Sequence, residues 1–143
     1  GTIRTLNETT RGKIHKQIEE ILRGITRAYG ANYEFDYRRG TPPVYNHPEL
    51  AKNMLPTLQR VLGPGNVHTI SPQMVAEDFS NYCQNIPGFY FFLGVKNPRA
   101  RTIAPLHSPD FNPDERSISV GIEVMCHLLL DSLEHQNGNQ TNK

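Results

Sequence analysis

Histidines, a pair of adjacent carboxylates and one arginine in a strand-like segment are the groups in this sequence whose types could do chemistry. Six histidines are present: His15, His47, His68, His107, His127 and His135. Imidazole both ligates metals and moves protons near neutral pH. No two of them form the H-x-x-x-H or H-E-x-x-H spacing that would set two rings on one helix face toward a metal. His127 reads as a packed or surface residue beside an apolar helical stripe, and His15 and His135 sit in polar helical surroundings. His107 differs. It stands in Ala104-Pro105-Leu106-His107-Ser108-Pro109-Asp110-Phe111, beyond an apolar segment that reads as a buried strand, and ligands of open α/β sheets gather past the carboxyl ends of strands. A single imidazole is not a metal site, because even an open zinc centre normally takes three protein ligands. Spacing alone therefore leaves His107 open between a structural and a functional role.

Glu77 and Asp78, within Met74-Val75-Ala76-Glu77-Asp78-Phe79-Ser80, are the second candidate. Carboxylates just ahead of a helical stretch are stabilised by the positive end of its dipole. The same pair could instead face a pocket. Arg4 could anchor an anionic group or simply be an exposed strand residue.

These residues need elements to position them. Gly1–Leu6 alternates like a strand and runs into capping residues at 7–10. Ile14, Ile18, Ile21, Leu22, Ile25 and Tyr29 repeat at helical spacing over 11–29, and Gly30 ends the helix. Tyr33, Phe35 and Tyr37 alternate with Glu34, Asp36 and Arg38, the mark of a half-buried strand. After the Pro42-Pro43 break, Leu50, Met54, Leu58 and Val61 predict a helix over 48–62, interrupted or bent at Pro56. Residues 77–84 suit a short helix. Phe89–Val95 is apolar without alternation, as in a strand covered on both faces. Residues 96–114 form a loop too long for a passive turn, and Ile118, Ile122, Met125, Leu129 and Leu133 predict one buried stripe on a last helix. The expected class is α/β. Two strands make only a marginal sheet, so further strands must come from elsewhere.

Composition narrows the rest. Fifteen Lys and Arg against fourteen Asp and Glu give +1, so no field of one sign favours nucleic acid or an anionic bilayer. The longest apolar run is far short of the ~20 residues of a membrane-spanning helix. Cys83 and Cys126 lie outside any C-x-x-C pair and read as reduced, buried, small apolar residues. The sequence opens on a strand pattern without an initiating Met or a leader, so it is expected to begin midway through a fold; a cytoplasmic location is the default.

Taken together, Gly1-Thr2-Ile3-Arg4-Thr5, Asp36-Tyr37-Arg38-Arg39-Gly40-Thr41-Pro42-Pro43, Ala76-Glu77-Asp78-Phe79-Ser80, Phe91-Phe92-Leu93-Gly94 and Leu106-His107-Ser108-Pro109 closely resemble, in order and spacing, the C-terminal portion of the metal-dependent amidohydrolases. These are the N-acyl-amino-acid, hippurate and auxin-conjugate hydrolases and the N-acetyldiaminopimelate deacetylases, related to carboxypeptidase G and aminoacylase. The resemblance runs from Gly1 to about Leu133. It implies that 1–43 is the second half of a sheet-and-helix lid that mediates dimerisation, that 44–135 is the C-terminal part of a two-metal catalytic domain, and that 136–143 is a disordered polar tail.

The resemblance further implies that His107 is a metal ligand and that Arg4, Glu77 and Asp78 lie on the substrate side. The cofactor would be two divalent ions, zinc or manganese, and the reaction hydrolysis of an N-acyl amino acid or short peptide by metal-activated water. The remaining ligands and the general base would lie in an N-terminal half, so no catalytic residue is expected among these 143 and the chain alone is expected to be inactive. Partners implied are that N-terminal half, a second copy through the lid, and a small substrate, with neither nucleic acid nor membrane. The alternative is a non-catalytic dimerisation module derived from such an enzyme. Val75 stands where the family often has Gly, which bears on substrate size, and Arg99 and Arg101 read first as solvated loop charges.

Overall fold

A computed structural model of the chain describes residues 1–140, with side chains through His135. It divides into two compact units: Gly1–Asn46 with Ile70–Tyr90, and His47–Thr69 with Phe91–Lys143.

In the first unit, helix α1 spans Glu8–Ala28. Asn7 begins it from an extended backbone, its side-chain oxygen accepting the Thr10 N–H at 3.1 Å, which satisfies one of the amides a helix start leaves without a partner. Glu8 in the first turn and Arg27 in the last both complement the helix dipole. The helix closes at Gly30, whose φ of 62° suits a residue without a side chain. Ile14, Ile18 and Leu22 are half-buried, whereas Ile21, Ile25 and Tyr29 are exposed.

The second unit is built on a helix pair. Helix α2 spans Pro48–Leu62, with Pro48 at its first position and Gly63 as its C-cap, and continues through Pro56. Its apolar stripe is the one its spacing predicts: Met54 and Leu58 are buried, and Leu50 and Val61 half-buried. Helix α3 spans Arg116–Gln140 and packs against α2. Of the polar tail expected at 136–143, residues through Gln140 continue α3, and 141–143 lie outside the described residues.

The expected α/β class, with a sheet-and-helix lid, is not what the chain forms. Among the described residues the only β-pairing is an isolated bridge between Asn97 and Thr102, and the architecture is three α-helices with short 3-10 turns. The reason lies in what alternation encodes. Tyr33, Phe35 and Tyr37 are half-buried and Glu34, Asp36 and Arg38 exposed, so the period-two signal correctly reports one covered face. What covers that face is α1: the His15 ring stacks on Tyr37 with centroids 4.3 Å apart and lies 5.8 Å from Phe35. A ladder needs backbone hydrogen bonds to a second strand about 4.8 Å away, and among the described residues 33–37 make none.

Two further expectations fail for related reasons. The run 89–95 is not covered on both faces: Phe91, Leu93 and Val95 are half-buried while Phe92 is 55% exposed. The Leu93 side chain lies against Gly121 of α3, where an added Cβ would come within 3.1 Å. On α3 the buried residues are Val124 and Leu128, and the predicted stripe of Ile118, Ile122, Met125, Leu129 and Leu133 is exposed throughout. This helix carries two apolar faces and uses the second. Both cysteines are free, but Cys83 is half-buried and Cys126 exposed.

Candidate functional site

The His107 loop begins where the chain leaves Val95 and ends where it meets α3. Its neck is closed by the Asp114 N–H donating to the Val95 carbonyl at 2.9 Å and by the Asn97 amide donating to the Asp114 carboxylate. Just inside, Asn97 and Thr102 exchange backbone hydrogen bonds of 3.0 and 3.1 Å, and Thr102 is buried. At the tip, the Ser108 N–H donates to the Pro105 carbonyl at 3.2 Å and the Phe111 N–H to the Ser108 carbonyl at 3.0 Å. His107 occupies the third position of the first of these turns with φ 66°, a left-handed backbone that Gly or Asn usually supplies. Its side chain is exposed and makes no hydrogen bond among the described residues.

Asp114 is held well below the usual carboxylate range, first by the Arg116 guanidinium and then by the Asn97 amide. A lowered folded value means that the clasp is at full strength above the ordinary 3.8 and is lost only as pH falls through the lowered value.

Arg4, Glu77 and Asp78 all belong to the first unit. Arg4 lines a cleft of about 810 Å³ together with Glu34, Asp36, Arg38, Val75 and Ala76. The other arginines of this cleft are engaged. Arg38 pairs with Asp36 at 2.9 Å. Arg11, 9% exposed, uses its fork on Glu8 at 2.8 Å and on the successive carbonyls of Gly40 and Thr41. A planar guanidinium suits such paired acceptors, so Arg11 ties the segment around Gly40 to the first turn of α1. Arg4 is exposed and forms no ion pair or hydrogen bond among the described residues.

Glu77 and Asp78 follow the cleft residue Ala76 directly. Glu77 is the N-cap of the 3-10 turn Asp78–Gln84: one carboxylate oxygen accepts the Phe79 N–H at 3.4 Å and the other the Tyr90 hydroxyl at 3.1 Å. The adjoining Asp78 carboxyl, the Phe79 amide and the Tyr90 hydroxyl, in that order of weight, hold Glu77 below its ordinary 4.5. Burial, then the Glu77 carboxylate, raises Tyr90 above 10.0. The signs bracket a window. The tie is complete above pH 4.5, where free Glu is ionised, and is lost as pH falls through the lowered Glu77 value; it is also lost as pH rises through the raised Tyr90 value. Tyr90→Phe is therefore expected to move the Glu77 titration upward and to remove the alkaline limb; a carboxyl-carbon NMR titration checks the first and unfolding against pH the second. An unmoved Glu77 titration would show that the tie does not form.

The resemblance implies only that Arg4, Glu77 and Asp78 lie on the substrate side; in the structure Arg4 and Ala76, the residue before Glu77, line one cleft, and neither Glu77 nor Asp78 is among its lining residues. Sequence reasoning missed Asp114, Asn97 and Arg11, since polar pairs far apart in sequence leave no periodic trace.

Comparison with known proteins gives this geometry a family. Residues 4–131 match the model for peptidase family M20/M25/M40, and the chain belongs to that family. It is 34% identical over 126 residues to a putative amidohydrolase, YhaA, of Bacillus subtilis, covering 88% of this chain and 32% of that protein. It is 35% identical over 131 residues to thermostable carboxypeptidase 2 of Saccharolobus solfataricus (91% and 32%). It is also 34% identical over 130 residues to an N-acetyldiaminopimelate deacetylase of Streptococcus sanguinis (90% and 33%). The chain thus spans about a third of the length of these curated relatives. No solved structure matches it.

The family is metal-dependent in general, and an exposed, unbonded imidazole is a suitable donor. Among the described residues no group of three or more His, Cys, Asp or Glu side chains could hold an ion. No helix among them is long and apolar enough to cross a membrane.

Proposed function

We propose that this chain works as the C-terminal portion of a metal-dependent amidohydrolase acting on N-acyl amino acids or short peptides, with His107 as one metal ligand. The observation that carries the reading is the state of His107. It lies exposed at the tip of a pinned loop, in a backbone conformation that costs an L-residue roughly 1–2 kcal/mol, and among the described residues no hydrogen bond or ion pair accounts for its being histidine. The remaining ligands and the general base belong to the part of the enzyme corresponding to the other two thirds of the relatives. The exposed α3 stripe supports this reading, because an apolar face of five residues on a packed helix suits burial by further polypeptide. So does the small core: among the described residues the buried apolar side chains are Met54, Leu58, Val124 and Leu128. By itself the chain is inactive.

Arg4, the uncommitted cation of its cleft, meets the carboxylate of the substrate. Because that contact is the same before and during reaction, Arg4→Ala is expected to raise KM by about 10–100-fold while changing kcat little, the scale of one charge-assisted hydrogen bond. Steady-state kinetics of the complete enzyme on N-acetyl and N-benzoyl amino acids read this split, and an unchanged KM would remove Arg4 from the site. Glu77 shapes the cleft wall through its cap and its bond to Tyr90, with Asp78 beside it.

The assay that tests the function is hydrolysis of those N-acyl amino acids by the complete enzyme, with and without a chelator. Chelator-sensitive release of the free amino acid is expected. A folded, metal-loaded enzyme that cleaves none of them would overturn the assignment. A second reading, a dimerisation module without catalysis, draws on the exposed Ile21, Ile25 and Tyr29 of α1; self-association in sedimentation, with no amidase activity in the complete protein, would favour it.

A further inference from the structure

We propose that Asp114 is the positioning residue for His107: it closes the loop that presents the imidazole and couples that loop to the start of α3. A ligand side chain must be held to within about 0.5 Å to be useful, and metal-binding histidines normally gain this from a hydrogen bond at their second nitrogen. His107 makes no such bond among the described residues, so its direction rests on its backbone alone. That backbone is local at the tip, through the two turns closed at Ser108 and Phe111. Among the described residues, the hydrogen bonds that tie this loop to the rest of its unit lie at the neck.

Asp114 reaches every side of that neck. Its N–H holds Val95 on the outgoing chain at 2.9 Å. Its carboxylate takes the Asn97 amide, and Asn97 in turn pairs with Thr102 and caps the turn Pro98–Ala100 through the Arg99 N–H at 3.0 Å. The same carboxylate accepts the Arg116 N–H at 3.1 Å and its guanidinium at 2.7 Å, and the Asp114 carbonyl accepts the Ser117 N–H at 2.9 Å, at the first turn of α3. The Asp114 side chain is only 17% exposed although Arg116 is 78% exposed. Asp114 is thus a joint between two chain segments and a helix that packs in the core, and a rigid frame for a side chain with no restraint of its own.

The functional meaning of this clasp rests on His107 being a ligand, and the test separates the two. In the 143-residue chain, backbone amide order parameters are measured for wild type, Asp114→Ala and Asp114→Asn. Asp114→Ala is expected to lower the values at His107 and Ser108 from about 0.85, typical of rigid backbone, to below about 0.6, leaving Val124 and Leu128 unchanged. Asp114→Asn, which still accepts the Asn97 amide, is expected to keep most of the rigidity. An unchanged loop, a loss confined to 116–118, or a uniform loss across α3 would each overturn the clasp, the last two reducing Asp114 to a helix-start residue. In the complete enzyme, metal affinity by titration is expected to fall about 10–100-fold in Asp114→Ala. Full metal affinity there with a loosened loop would overturn the positioning role. Should His107→Ala itself leave metal affinity intact, the ligand assignment fails while the order parameters still judge the clasp.

Discussion

Replacing His107 by Ala in the complete enzyme is expected to lower metal affinity and kcat/KM by more than the ~10–100-fold that loss of an outer-shell partner typically costs. His107→Gly is expected to do the same damage without destabilising the fold. With φ at 66°, the wild-type residue bears a left-handed backbone penalty of roughly 1–2 kcal/mol. Glycine removes that penalty and adds back about 0.5–1 kcal/mol of unfolded-state entropy, so this variant is expected to be as stable as wild type or slightly more so. Alanine keeps the penalty and leaves stability near its starting value, because the exposed ring buries nothing. A residue whose replacement lowers metal affinity in both variants and destabilises the fold in neither is retained for its imidazole. Denaturant unfolding paired with metal titration checks this, and a glycine variant with full metal affinity would contradict it.

Leu58→Ala is expected to cost about 2–5 kcal/mol, a large share of the 5–15 kcal/mol that holds an ordinary domain. Leu58 is 5% exposed and is one of four buried apolar side chains among the described residues, so its removal opens the α2–α3 contact with little left to close the gap. The denaturant midpoint of the second unit, read by helical circular dichroism, should fall steeply. Leu129→Ala makes the opposing case. Leu129 is 61% exposed, and in the isolated chain its loss should stay within about 0.5 kcal/mol. In the complete enzyme the same substitution should become costly, because the proposed reading buries that face. An equal, negligible effect in both settings would mean that nothing covers the α3 stripe.

The reach of the sequence differed from element to element. The ends of helix α2 were legible to the residue, because Pro48, the stripe Leu50, Met54, Leu58 and Val61, and Gly63 agree, although the interruption expected at Pro56 does not occur. The start of α1 was placed late, since the apolar pattern begins after the cap at Asn7 that sets the true start. For α3 the helix was legible but its buried face was not: a helix with two apolar stripes offers periodicity no means of choosing. The absent sheet marks the limit of alternation, which records that one face of 33–37 is covered but not by what. At the site, motif order pointed to the family and to His107, and the helix-start reading of Glu77 describes what its carboxylate does. The buried Arg11 and the Asp114 clasp were invisible, because a charged side chain bonded to carbonyls or amides far along the chain looks, in sequence, like any solvated charge.

Native mass spectrometry with metals retained, on the 143-residue chain and on the complete enzyme, each with His107 and with His107→Ala, tests most directly whether His107 holds a metal. No tightly held ions are expected on the chain alone, two divalent ions per copy in the complete enzyme, and fewer when His107 is replaced. Two ions bound by the isolated chain, or an unchanged metal count in the His107→Ala enzyme, would contradict these expectations.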